Sequence, residues 1–287
     1  MDEILNVFLT GNVQDFSCKP LLELVRKNQW YAPIIAVVAY LLAIFVIIPL
    51  VRPTKCPTLI SRHGFALWNF FLAAFSWVGV AAAVPYLYRQ LRTKGFQYMV
   101  CSDKMMLGSR EDDASCYGFI GLMMCLFMLS KFPELIDTVF LAFMGKKIMF
   151  LHWYHHITVL LYSWFAFEAA IPTSVFFATV NYSVHSVMYF YFGASIYTKR
   201  LSFLRKPITS IQILQMVWGM ILAVTAYLYS EGIIGDGTCS QSYRNSHFFY
   251  SCFVLCASYF VLFTKLYVDN YIRKSSSRAA ASKVKSS

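Results

Sequence analysis

Charge is scarce in this chain, and acidic charge is scarcest. Asp, Glu, Lys and Arg supply 14% of its 287 residues, hydrophobic residues supply 58%, and the mean hydropathy is +0.55. A soluble globular protein, with about half its residues apolar and about a quarter charged, is excluded. The start, Met1-Asp2-Glu3, is acidic and resembles no secretory signal peptide. The loops hold no folded nucleic-acid-reading module, and the basic residues are distributed by membrane side, so nucleic acid is excluded as a partner. Histidine numbers only six.

Long apolar runs are plentiful. A bilayer admits only helices or closed barrels, and a spanning helix needs about 20 mostly apolar residues. Seven stretches qualify, near residues 31–51, 65–88, 117–144, 148–169, 173–197, 208–230 and 246–271. The expected fold is therefore all-α and polytopic. It comprises a segment 1–30, a seven-helix catalytic domain 31–271 and a basic tail 272–287.

Basic residues orient the bundle. Arg52, Lys55 and Arg62, then Lys146 and Lys147, then Lys199, Arg200, Arg205 and Lys206, then Arg273, Lys274, Arg278, Lys283 and Lys285 fall on one side with no Asp or Glu among them. The opposite segments mix signs, setting Arg89, Arg92, Lys94, Lys104 and Arg110 against Asp103, Glu111, Asp112 and Asp113. The uniformly basic side is expected in the cytosol, with the amino terminus luminal and the carboxyl terminus cytosolic. Most of the net charge of +11 is this skirt, which suits anionic lipid headgroups or a polyanionic substrate equally.

The eight cysteines divide the same way. Cys125, Cys252 and Cys256 lie within apolar spans, where a free thiol packs as a small hydrophobe. Cys101, Cys239, Cys18 and Cys116 fall on the luminal side, where an oxidising compartment permits disulfides, and spacing leaves the pairing open.

Chemistry concentrates in a few spans. Positions i, i+3 and i+4 share a helix face, so His152, His155 and His156 form one polar patch. Lys131, Glu134 and Thr138, with Asp137 on the shoulder, stripe the third span. Asn181 and His185 stripe the fifth, and Thr209, Gln212 and Gln215 the sixth. Ionisable groups in spans are costly and mark function. The third and fourth spans turn near Lys146 and Lys147, so Asp137 and His155 stand about nine residues to either side, at matching depth. His185 and Tyr189 reach a similar level, and one buried site could collect them all. Blander readings attach to Thr209, Gln212 and Gln215 as interhelical hydrogen-bond glue, to Trp153, Tyr154 and Tyr162 as packing, and to His63 and His247 as span-edge residues.

Two other classes compete. A His-box metalloenzyme of the desaturase or hydroxylase type needs about eight histidines over several boxes, and the HExxH glutamate of a zinc hydrolase is replaced by Trp153. A seven-helix receptor or transporter would need no cluster of neutral imidazoles opposite a carboxylate.

Lys131-Phe-Pro-Glu134-Leu-Ile-Asp137-Thr138, His152-Trp-Tyr-His155-His156, Asn181 through His185 and Tyr189 to Tyr191, and Thr209-Ser-Ile-Gln212-Ile-Leu-Gln215 resemble, in order, the signatures of the ELO family of very-long-chain fatty acid elongases. The HWYHHITVLLYSW form is similar to the branch acting on saturated and monounsaturated acyl-CoA. Phe192 departs from the family pattern, which ends its third motif in Tyr, and reads as tuning of the substrate pocket. The resemblance implies an acyltransferase of the endoplasmic reticulum membrane that condenses long-chain acyl-CoA with malonyl-CoA to 3-ketoacyl-CoA, CO2 and CoA. It implies no cofactor and no metal. Six of the seven helices would form a barrel around an acyl tunnel, with the first outside.

By position, the resemblance makes His155 the nucleophile that forms an acyl-imidazole, with His185 facing it. His152, His156 and Asp137 orient imidazoles, and Lys131, Glu134 and Asn181 support the network. The same pattern singles out Cys101 with Cys239 as a luminal disulfide. Expected partners are the acyl-CoA and malonyl-CoA substrates, membrane lipid, and the ketoacyl reductase, dehydratase and enoyl reductase of the elongation cycle, with room for a homo-oligomer. Burial disfavours the charged form of an imidazole and leaves a lone pair for attack, which fits that chemistry. Lys283 and Lys285, three and five residues from the end, resemble a KxKxx retrieval signal for the endoplasmic reticulum.

Overall fold

The computed structural model describes residues 12–28, 30–51, 59–236, 239 and 247–273. Lys283 and Lys285 of the retrieval-like motif, and Arg52 and Lys55 of the basic skirt, lie outside them. The ordered elements among the described residues are all helices, joined by turns and loops, with no strand beyond one antiparallel bridge between Ser17 and Tyr117.

Five helices among the described residues are long and apolar enough to cross a membrane: Tyr31–Leu50 (α2), Ser61–Thr93 within the longer α3 (Leu59–Thr93), Gly118–Phe143 (α6), Arg200–Ser230, whose α-helical part is α9 (Arg205–Ser230), and Phe248–Arg273, which contains α10 (Phe248–Tyr267). Between them lie α7 (Phe150–Glu168) and α8 (Ser174–Ala194), of 19 and 21 residues. At 1.5 Å per residue these are about 30 Å long, the thickness of the hydrocarbon. They carry His152, His155, His156 and His185, which lowers their hydropathy without shortening them. Preceding α2 is the amphipathic α1 (Lys19–Asn28), and α3 is followed by two short helices, α4 (Gly95–Cys101) and α5 (Lys104–Leu107). The protein is a polytopic helical membrane protein. Its outer faces expose Leu67, Phe71, Trp77, Leu214, Ile221, Val254 and Val261, as a surface solvated by lipid requires.

Without a hydrophobic drive between helices in lipid, close approach rests on small residues. Helix α3 lies along α8, and a Cβ at Gly79 would stand 2.5 Å from the Tyr182 ring. That ring is wedged edge-on by Phe75 and Phe127, and its hydroxyl donates to the Met123 carbonyl at 2.9 Å. At the other end Gly193 admits Phe70, with 3.0 Å to its would-be Cβ. Gly219 does the same for α9, facing the Cys256 sulfur of α10.

The third span departs from the single helical face expected of it. Pro133 lacks the N–H an α-helix needs, and the chain runs as α-helix over Gly118–Ser130, as a 3-10 turn over Pro133–Leu135 and as α-helix again over Ile136–Phe143. The break separates the stripe. Lys131 and Glu134 turn to one another, while Asp137 turns to the histidines. The spans near 65–88 and 208–230 also begin earlier than their apolar runs, at Leu59 and Arg205, because helix continues through polar residues beyond the hydrocarbon.

Two disulfides, Cys18–Cys116 and Cys101–Cys239, with Cα separations of 5.0 and 4.9 Å, lie together at one end of the bundle. The turns around Lys146 and Lys199 lie at the other.

Candidate active site

A cavity of about 490 Å³ opens inside the bundle, lined by side chains of α3, α6, α7, α8, α9 and α10. Helix α2 adds no lining residue. It packs outside, with Phe45 edge-on to Trp153 at 5.7 Å. The cavity gathers Glu134, Asp137, His152, His155, His156, Asn181, His185, Tyr189, Thr209, Gln212 and Gln215. Lys131 stands behind the wall, where its ammonium pairs with Glu134 at 2.6 Å and lies 4.3 Å from the centre of the Phe127 ring. Ser130 donates to the same Glu134 oxygen at 2.9 Å. Both members of the pair are buried, Lys131 at 3% and Glu134 at 5% exposure, so removing either would leave the other without its partner in the bundle interior.

The carboxylate of Asp137 is held by two donors, Trp68 Nε1 at 2.5 Å and the Tyr189 hydroxyl at 3.1 Å. One of its oxygens lies 4.0 Å from His156 Nε2. Thr138 Oγ1 sits between the Tyr40 hydroxyl at 2.5 Å and His152 Nε2 at 2.8 Å. The amide nitrogen of Asn181 is 3.1 Å from His185 Nε2, which accepts when that nitrogen is unprotonated. Ring centres of His152 and His156 are 4.5 Å apart, and those of His155 and His156 5.7 Å.

Among the described residues no hydrogen bond occupies the ring nitrogens of His155, and the same holds for His156; the His155 ring is steadied by Tyr259 at 5.1 Å and Phe263 at 6.4 Å. Thr158 bonds the Tyr259 hydroxyl at 2.6 Å and so fixes that wall.

A second cavity of about 120 Å³ continues from the first toward the disulfide end. Its lining is largely apolar and includes Met124, Phe127, Val159, Phe177 and Leu255. Four residues, His155, Asn181, Gln215 and Met216, line both chambers. Cys252 and Cys256, expected as packing residues, line this second chamber. At the opposite extreme the large cavity reaches Met149, Ser195, Arg205, Asn270 and Tyr271, beside the turns that hold Lys146 and Lys199. There Arg205 Nε donates to the Tyr191 hydroxyl at 2.8 Å.

Several residues that line the cavity or bond its side chains escaped the sequence reading. Trp68 and Asn69 sit on a span that looks uniformly apolar, and Tyr40 sits on the span outside the ring. A hydrogen-bonding aromatic is hidden within an apolar run, and only its distance to Asp137 or Thr138 reveals it. Gln212, read as glue or support, donates to the Met188 sulfur at 3.1 Å. His63 bonds the Tyr197 hydroxyl at 3.0 Å at the bundle edge, away from the cavity. Among the described residues no group of three or more His, Cys, Asp or Glu side chains is arranged to hold a metal ion.

Residues 25–279 match the ELO family, described as the GNS1/SUR4 family. Fatty acid elongase 1 of Trypanosoma brucei brucei is 40% identical over 220 residues, covering 75% of this chain and 68% of that protein. Fatty acid elongase 3 of the same organism is 35% identical over 257 residues, 84% and 83% of the two chains. Very long chain fatty acid elongase 3 of Mus musculus is 35% identical over 261 residues, 89% and 86% of the two.

Proposed function

The chain belongs to the ELO family, and from that premise we propose that it is the condensing enzyme of fatty acid elongation, joining long-chain acyl-CoA to malonyl-CoA through an acyl group carried on His155. The observation that carries this reading is the meeting of a polar and an apolar chamber at His155. An acyl thioester laid along both chambers puts its chain in the apolar one, its carbonyl at the imidazole and its CoA toward Arg205 and the basic rim.

The chemistry follows in two stages. A neutral His155 nitrogen attacks the thioester carbonyl, the C–S bond breaks, and the imidazole proton leaves with the thiolate as CoA. Malonyl-CoA then takes the vacated mouth and loses CO2. The resulting carbanion attacks the acyl carbonyl, a C–C bond forms, the C–N bond breaks, and the released imidazolate takes a proton from water in the mouth. The product is 3-ketoacyl-CoA. His185, across the chamber with Asn181 behind it, serves proton transfer. Asp137 and Thr138 fix His156 and His152, and the Lys131–Glu134 pair props the break that aims Asp137 inward. Tyr189, Gln212 and Gln215 complete the wall.

Neither metal nor other cofactor enters these steps. All seven long helices, α7 and α8 included, cross the membrane. The histidine site lies toward the cytosol, the disulfides face an oxidising lumen, and the tail bearing Lys283 and Lys285 retains the protein in the endoplasmic reticulum. Residues 31–271 form the catalytic domain. Its product passes to a ketoacyl reductase, a dehydratase and an enoyl reductase, and self-association belongs to the same reading. Purified protein should release free CoA from long-chain acyl-CoA and form 3-ketoacyl-CoA with malonyl-CoA. His155→Ala should abolish both, and retention of condensation in that variant would overturn the assignment.

A further inference from the structure

The apolar chamber ends, away from the basic rim, at Met106, Phe167 and Ser174. Met106 belongs to no spanning helix. It sits on α5, in the segment between α4 and α6, and is only 2% exposed. That segment is fixed on both sides, since Cys101 before it is bonded to Cys239 and Cys116 after it to Cys18. Backbone bonds reinforce the second staple. Cys18 N donates to Cys116 O at 2.8 Å, Gly118 N donates to Phe16 O at 3.0 Å, and Ser115 N donates to Met105 O at 2.8 Å. The Arg110 guanidinium donates to the carbonyls of Gln14 and Asp15 at 2.6 and 2.5 Å.

Helix α1, directly after Cys18, is amphipathic. Leu21, Leu22 and Val25 are buried, and the remaining positions are exposed. Those three join Phe16, Met106, Met128 and Phe167 in one buried cluster. Met106, Met128 and Phe167 are also chamber wall. The wall therefore faces the chamber on one side and α1 on the other. An unbranched methionine has three rotatable bonds and yields readily unless something stands behind it.

We propose that Met106 is the stop against which the distal end of the acyl chain lodges, and that α1, stapled by Cys18–Cys116, is the brace that holds Met106 in place. The upper limit on acyl length is thereby set outside the spanning helices, by a residue between the second and third of them and by the segment before the first, which backs it. The inference rests on the condensation reading above and adds the residues that fix its specificity.

The test is product length. Full-length protein in proteoliposomes is given malonyl-CoA with acyl-CoAs increasing by two carbons, and 3-ketoacyl products are measured by mass spectrometry. Paired Cys18→Ser and Cys116→Ser substitutions should leave the rate on shorter substrates unchanged. On the first acyl-CoA beyond the wild-type limit they should raise the relative rate by about tenfold, the effect of burying two more methylenes. Met106→Ala should move the limit the same way. Met106→Phe keeps the brace and fills the chamber end, so it must move the limit to shorter chains even if the cysteine variants fold poorly. Active variants that keep the wild-type limit would overturn the stop and its brace while leaving condensation standing. A wild-type protein that condenses no acyl-CoA would overturn the functional reading itself, and the inference with it.

Discussion

Trp68→Phe isolates the hold on Asp137. The substitution keeps an aromatic ring between Phe71 and Phe140, which lie 5.7 and 6.1 Å from the Trp68 ring centre, and removes the N–H that donates to the carboxylate at 2.5 Å. A hydrogen bond to a charged group contributes about 1.5–3 kcal/mol. If Asp137 acts by fixing His156, that loss falls on the transition state, and each 1.36 kcal/mol is tenfold in rate. The expected fall in kcat is about tenfold to about a hundredfold, with little change in KM because Trp68 lines neither chamber. Tyr189→Phe removes the other donor, and the double variant should show a coupling of about 0.5–3 kcal/mol, because both donors hold one carboxylate. The assay is CoA release at saturating acyl-CoA and malonyl-CoA. A Trp68→Phe enzyme with wild-type kcat, or two effects that simply add, would refute the claim that Asp137 works through a fixed orientation.

Other regions give independent tests. Lys131→Met should destabilise the fold by about 3–5 kcal/mol by leaving Glu134 as an unpaired buried charge, and adding Glu134→Leu should recover most of the loss; thermal inactivation in detergent ranks the variants, and a double variant weaker than either single one counts against the pair. Gly79→Ala should cost about 1–3 kcal/mol in the same assay, since the new Cβ meets a Tyr182 ring that its neighbours prevent from moving. Thiol labelling of denatured, unreduced protein should leave Cys18, Cys101, Cys116 and Cys239 unmodified until reductant is added, and labelling of any of the four beforehand would contradict the bridges.

The sequence revealed the polar positions better than it revealed what holds them. Three imidazoles at i, i+3 and i+4, a carboxylate at matching depth and a second His stripe are visible because ionisable groups stand out within apolar runs. They do line one cavity. The residues that aim them do not stand out. Trp68 and Tyr40 are aromatics inside apolar runs with nothing in the sequence to single them out, and their roles depend on α3 and α2 packing beside α6, a tertiary fact. The 3-10 turn at Pro133 was legible as a proline but not in its consequence, which is to part the Lys131–Glu134 pair from Asp137. Cysteine pairing stayed open for the same reason. Four cysteines at one end admit three pairings, and only chain geometry places Cys18 against Cys116. Hydropathy overlooked α1 as well, because ten residues with three buried positions make a weak signal until Met106 and Met128 are found beneath them.

The central claim is that His155 carries the acyl group at the junction of the two chambers. Intact and peptide mass spectrometry of the protein incubated with long-chain acyl-CoA alone tests it most directly. The account predicts one acyl increment per chain, mapped to His155, lost in His155→Ala and discharged as 3-ketoacyl-CoA when malonyl-CoA is added. An enzyme that condenses both substrates yet carries no acyl group, or carries it on His185 or Cys256, would contradict it.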